Sequence, residues 1–219
     1  MTEDRIRELA RDLEPVKPIP RLRTVGIGLL VSWGVALVVD VWVGGPMPRS
    51  PGDPVFTTPS YLAALAGAVL VAYGATSAAL ASTVPGRAAA VRLGLRLTLA
   101  GVLLAFAGWA FGVTREPVDH YGDELGTIFA CGVRSIAIGL VPALLCTAFA
   151  LHAVLRGALA TAALVLAGGA GLGAVAVQMS CASTAPLHQL LAHSLSPLFA
   201  VVVLTAPLAL LMARFARRG

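Results

Sequence analysis

Six predominantly apolar stretches, each about as long as a bilayer is thick, constrain this chain more than any other feature of its sequence. A helix needs roughly 20 apolar residues to cross a hydrocarbon core of about 30 Å. The stretches fall near 24–43, 61–83, 91–113, 133–155, 158–178 and 196–216. Breakers divide them: Gly44-Gly45-Pro46 through Pro59, then Pro85-Gly86, then Pro117 to Gly132. Only Arg156-Gly157 separates the fourth run from the fifth, which predicts a tight helical hairpin. The runs do not alternate apolar and polar residues as barrel strands do. The expected fold is all-α, a polytopic bundle of six transmembrane helices over 24–219 behind a stub at 1–23. Composition agrees: 58% of residues are hydrophobic and 12% charged, about half the charged fraction of a soluble domain.

Charge orients the bundle, because short cytosolic loops collect Lys and Arg. One side gathers Lys17, Arg21, Arg23, Arg87, Arg92, Arg96, Arg156, Arg214, Arg217 and Arg218. The other holds Arg49, Arg115 and Arg134, diluted by Asp53, Glu116, Asp119, Asp123 and Glu124. Both termini are therefore expected in the cytosol, which an even number of spans requires. The net charge of +5 is spread over span ends without aromatic interleaving, so it marks orientation and not a nucleic-acid surface. The acidic residues of the first 23 positions, and the absence of a small-residue cleavage site, argue against a signal peptide.

Small residues predict how the helices pack. Gly94, Gly101 and Gly108 recur every seven positions in the third run, and Gly169 and Gly173 sit four apart in the fifth. Such spacing lets membrane helices approach closely within one bundle. Pro142 and Pro207 fall inside the fourth and sixth runs, where kinks are expected. Gly168–Gly173 has no preceding strand, so it is no phosphate loop.

Thr2 to Leu13 reads as a short helix ended by Pro15. Ile6, Leu9, Ala10 and Leu13 form one apolar stripe, with Arg5, Glu8, Arg11 and Asp12 opposite. Two readings stay open: a helix lying on the lipid surface, or a docking helix that orders in a partner's groove. Glu14 to Pro20 would serve as a stiff tether to the first span.

Chemistry concentrates on the side opposite the basic loops. Cys131 is expected just before the fourth span and Cys181 just after the fifth, so the hairpin brings them together. Arg134, one turn beyond Cys131, is placed to tune its thiol. His120, His188 and His193 are expected on the same face. Three readings remain: a redox-active or structural thiol pair, a soft-metal or zinc site of these thiols and imidazoles, or inert thiols. The five-residue spacing of His188 and His193 suits one α-helical face poorly. Cys146 is expected to pack as a small hydrophobe, His152 to sit at the interface, and Asp40 to reach water near the end of the first span. No HExxH, no GxSxG and no pair of buried carboxylates is present, so no enzyme activity is expected.

Asp12-Leu13-Glu14-Pro15-Val16-Lys17-Pro18, ahead of the first of six spans, resembles the entry motif of NrsF-type membrane anti-sigma factors. Cys131, the hairpin from Ala137 to Val177, and Cys181 resemble that family's two-cysteine pattern. The resemblance covers nearly the whole chain. It implies a bacterial inner-membrane protein, with both ends in the cytosol, that sequesters an extracytoplasmic-function sigma factor and binds no nucleic acid directly. Oxidant or heavy-metal stress would release that partner. Cys131 and Cys181 would sense the stress, with copper or zinc the candidate ions at the periplasmic face. Ile6, Leu9, Leu13, Glu14, Pro15 and Lys17 would belong to the sigma-binding face. The HxxxCxxC motif of soluble anti-sigma domains is missing. The alternative reading is a metal-handling or thiol-redox membrane protein without a sigma partner.

Overall fold

The computed structural model describes residues 22–43, 45–115, 125–151, 157–183 and 185–216. Residues 1–21 of the stub, His120, His152 and the acidic residues at 116, 119, 123 and 124 lie outside the described residues. Among those described, nearly everything is helical and there is no strand. The helices are α1 (Leu22–Trp42), α2 (Pro59–Ser82), α3 (Ala88–Val113), α4 (Leu125–Leu151) and α5 (Ala158–Ser180), then α6 (Pro186–Gln189) and α7 (Ser196–Ala216). A π-helical turn, Leu190–Leu195, joins α6 to α7 in one continuous rod. Six helices are thus long and apolar enough to cross a membrane. Large apolar side chains such as Leu30, Val38, Leu103, Phe129, Phe199 and Val202 face outward. Contiguous apolar exposure on this scale suits lipid as the surrounding solvent.

Two boundaries differ from expectation. The fourth span begins at Leu125, eight residues before 133, so Cys131 lies within the helix and not ahead of it. The sixth begins at Pro186, ten residues before 196, and takes His188 and His193 into the helix. In both places the backbone stays helical beyond the purely apolar window, because its hydrogen bonds need internal partners wherever water is scarce.

Close backbone approach holds the bundle together. A Cβ on Gly101 would lie 2.6 Å from the Gly67 carbonyl oxygen, and one on Gly94 would lie 2.6 Å from that of Gly74. Gly108 meets the Ser60 carbonyl in the same way. The seven-residue repeat on α3 therefore matches a seven-residue repeat on the antiparallel α2. Gly169 and Gly173 of α5 press against Gly139 and Ser135 of α4. The spacing-based expectation of contacts within one chain is met at each of these glycines. Central α5 is packed by α2, α4 and α7, whereas α1 leans chiefly on α4. Cys146 sits in the core with Leu29, Ala143, Val165 and Leu166, as expected of a packing residue. Pro142 and Pro207 lie inside α4 and α7.

Candidate thiol and metal centre

At one end of the bundle four chain segments converge. Cys131 comes from the second turn of α4, and Cys181 caps the end of α5 with its N–H bonded to the Val177 carbonyl, 2.7 Å. Pro186, which is pre-set for a first helical turn, starts α6 five residues later and brings His188 back over Cys181. The π turn then presents His193.

The sulfurs of Cys131 and Cys181 stand 3.7 Å apart, and the Cys181 sulfur lies 3.3 Å from His188 Nε2. One donor atom from each of Cys131, Cys181, His188 and His193 falls within 4.8 Å of every other. Both imidazoles are 1% exposed and cross edge to face, with ring centroids 5.8 Å apart. Cys181 is buried and Cys131 half-buried. Neither ring nitrogen of His193 has a hydrogen-bond partner among the described residues. The poor fit of a five-residue spacing to one helical face is resolved by the π turn. Its i→i+5 repeat puts His188 and His193 on one side, where an α-helix would separate them.

Zinc bonded at about 2.3 Å to sulfur and about 2.0–2.1 Å to nitrogen would set two sulfurs about 3.8 Å apart, and sulfur from nitrogen by about 3.5 Å. The two measured separations fit these tetrahedron edges, and every other donor pair lies within 4.8 Å. Two thiolates and two imidazoles are a donor set for zinc or copper(I). The same sulfur pair can also close to a disulfide, which requires approach to about 2.05 Å. The thiol of Cys181 is pushed up by its hydrogen bond with Cys131 and by burial, so it retains its proton in the metal-free protein.

Groups around the centre fix it in place. Arg49, in the loop between α1 and α2, donates to the carbonyl oxygens of Cys181 and Ala182 and pairs with Asp53 at 2.8 Å. The Val55 N–H and Arg49 together hold the Asp53 carboxyl below its ordinary value of 3.8. Trp109 Nε1 donates to Ser194 Oγ, 3.0 Å, pinning the π turn beside His193. Gln189 Nε2 donates to the Ser183 carbonyl across the α5–α6 link. Trp109 and Gln189 are not singled out in the sequence, and Arg49 reads there only as a charge on this side. The one signal that marks them is a polar or indole side chain at the end of an otherwise apolar run.

Asp40 does not simply reach water. Its carboxylate takes both Nε (2.9 Å) and Nη2 of Arg134, joining α1 to α4 in a half-buried ion pair. Arg134 is thereby a neutralised neighbour one turn from Cys131, so its field there is that of a pair and not of a bare cation. Trp33, Ala36 and Leu37 of α1, together with Cys131, pack against the cluster of Ile138, Ala176, Val177 and Cys181.

No family model matches the chain, and neither the curated proteins nor the solved structures give a match.

Proposed function

We propose that this protein is a sensor of oxidants and thiophilic metals in the bacterial inner membrane, acting as an anti-sigma factor for an extracytoplasmic-function sigma factor. The observation that carries the sensing half is the gathering of Cys131, Cys181, His188 and His193 donors within 4.8 Å at one end of a six-span bundle. The regulatory half rests on the resemblance of the 12–18 motif and of the two-cysteine pattern. The distribution of Lys and Arg supports placing the thiol end outside and both termini in the cytosol.

The coupling runs through α1. Its Trp33, Ala36 and Leu37 pack against the cluster that holds Cys181, Asp40 holds Arg134, and the stub precedes this helix in the sequence. Closing a disulfide stabilises a state by about 2–4 kcal/mol. Allosteric couplings are about 1–3 kcal/mol, enough to change a partner's affinity tens-fold. A complete switch from 1:99 to 99:1 needs about 5.5 kcal/mol, so release by oxidation alone is graded.

Replacing Cys131 and Cys181 together by serine, and following sigma-dependent transcription under cadmium or oxidant, tests the proposal. The double variant should lose the stress response; an unchanged response refutes it. The four-donor set also favours a second reading, a metal-handling protein without a sigma partner. Co-purification separates the two. Capture of a sigma factor that depends on residues 1–23 supports the regulator, and stoichiometric copper or zinc without such a partner supports the metal handler.

A further inference from the structure

We propose that the cleft beside the thiol centre binds a membrane quinone, and that this quinone is the direct oxidant of Cys131 and Cys181. The inference rests on the thiol pair being redox-active, as proposed above.

A cleft of about 100 Å³ separates α2 and α3 from α5 and α7. Its walls are mostly small or aliphatic, with Ala170, Val102 and Leu198 among them beside Phe106, and it lies within segments long and apolar enough to be surrounded by lipid. At the end nearest the thiols the lining turns polar, with His193 and Ser194, and the Ser194 hydroxyl already accepts from Trp109 Nε1. This imidazole is 1% exposed, and among the described residues no group meets hydrogen-bond geometry with either of its nitrogens. One of its nitrogens belongs to the four-donor cluster, within 4.8 Å of both sulfurs. Its ring therefore stands between an apolar cleft and a dithiol.

Three requirements follow for whatever fills the cleft. It must dissolve in the bilayer, because away from His193 the walls are apolar except for Thr98, whose hydroxyl is already bonded to the Gly94 carbonyl. It must carry an acceptor oxygen at one end, because a buried imidazole N–H without a partner is costly. It gains a reaction only if it accepts two electrons, since its neighbour is a pair of thiols. A lipid acyl chain meets the first requirement alone. A benzoquinone or naphthoquinone with an isoprenoid tail meets all three, its carbonyl oxygen accepting from His193 and its tail running along the cleft.

The step balances without another reactant. Two S–H bonds break and one S–S bond forms as the sulfurs close from 3.7 Å to about 2.05 Å. The two electrons and two protons released convert the quinone's carbonyl oxygens to the hydroxyls of the quinol.

The test uses the full chain, reduced and reconstituted in quinone-free lipid under anaerobic conditions, with a short-tailed ubiquinone added. We expect one quinol formed per chain and loss of two of the three thiols, Cys146 remaining. Diamide, a water-soluble thiol oxidant, is the reference. If diamide closes the disulfide and the quinone does not, the quinone site is refuted while the redox reading stands. If neither closes it, both fall. Ala170→Phe, which fills the cleft, should abolish oxidation by quinone and spare oxidation by diamide; an unchanged quinone rate overturns the proposal. Should that variant fail to fold, a redox-inert tailed quinone analogue added to the wild-type chain decides the matter. Inhibition supports the site, and its absence at saturation refutes it.

Discussion

His193 and Cys181 show how little of a metal centre has to be unusual for the whole to be specific. Neither residue is rare at the end of a membrane helix, yet together they place a soft thiol and a borderline imidazole in one dry pocket. Purified protein should bind one zinc ion, measured by competition with a chromophoric chelator. Cys181→Ser and His193→Ala should each weaken binding by more than the about 10–100-fold typical of changes outside the ligand set. The pH dependence has a definite sign. The Cys181 thiol is pushed up by Cys131 and by burial, so a metal must displace its proton. Affinity should rise with pH across the neutral range, with protons released on binding that calorimetry in two buffers can count. Flat affinity between pH 6 and 9 would contradict a thiolate ligand at this position.

At the scale of helices, contacts made by absent side chains matter as much as those made by present ones. Gly173 of α5 sits against the Ser135 carbonyl so closely that a methyl group cannot enter without moving the backbone. Gly173→Ala should cost about 1–3 kcal/mol, the range for overpacking, and lower the midpoint of thermal unfolding in detergent. Gly52→Ala, with open space around it, should leave that midpoint unchanged. These glycine contacts were legible in the sequence because their spacing is a property of each helix alone. The convergence of Cys131 with Cys181 was legible for a related reason, since a helical hairpin brings its ends together. The π turn was not, because residues five apart look mismatched against a 3.6-residue period until the i→i+5 repeat is seen. Nor was the Asp40–Arg134 pair, whose members are 94 positions apart in the chain and meet only through packing of α1 on α4. The turn itself can be tested. Deleting one residue among 190–192 should restore a regular α-helix in which the two histidines stand four apart and so stay on one face. Zinc binding should then persist, with little change in helix content by circular dichroism, and its loss would show that the π turn itself sets the ligand geometry.

Across the whole molecule, the proposed orientation puts the thiol end outside and most of the Lys and Arg residues in the cytosol. A thiol reagent that cannot cross membranes, applied to intact spheroplasts after reduction and chelation, should modify Cys131 first because it is half-buried, and the deeply buried Cys181 more slowly. Failure to modify either would place this end in the cytosol and undo the orientation. The light packing of α1 adds a consequence for how the chain is routed. The helices from α2 to α7 make five crossings, an odd number that would leave their two ends on opposite faces. Adding α1, docked on α4 and clasped by Asp40, returns the chain to its face of departure. The peripheral helix is thus a return lane, held to the rest of the bundle chiefly through α4.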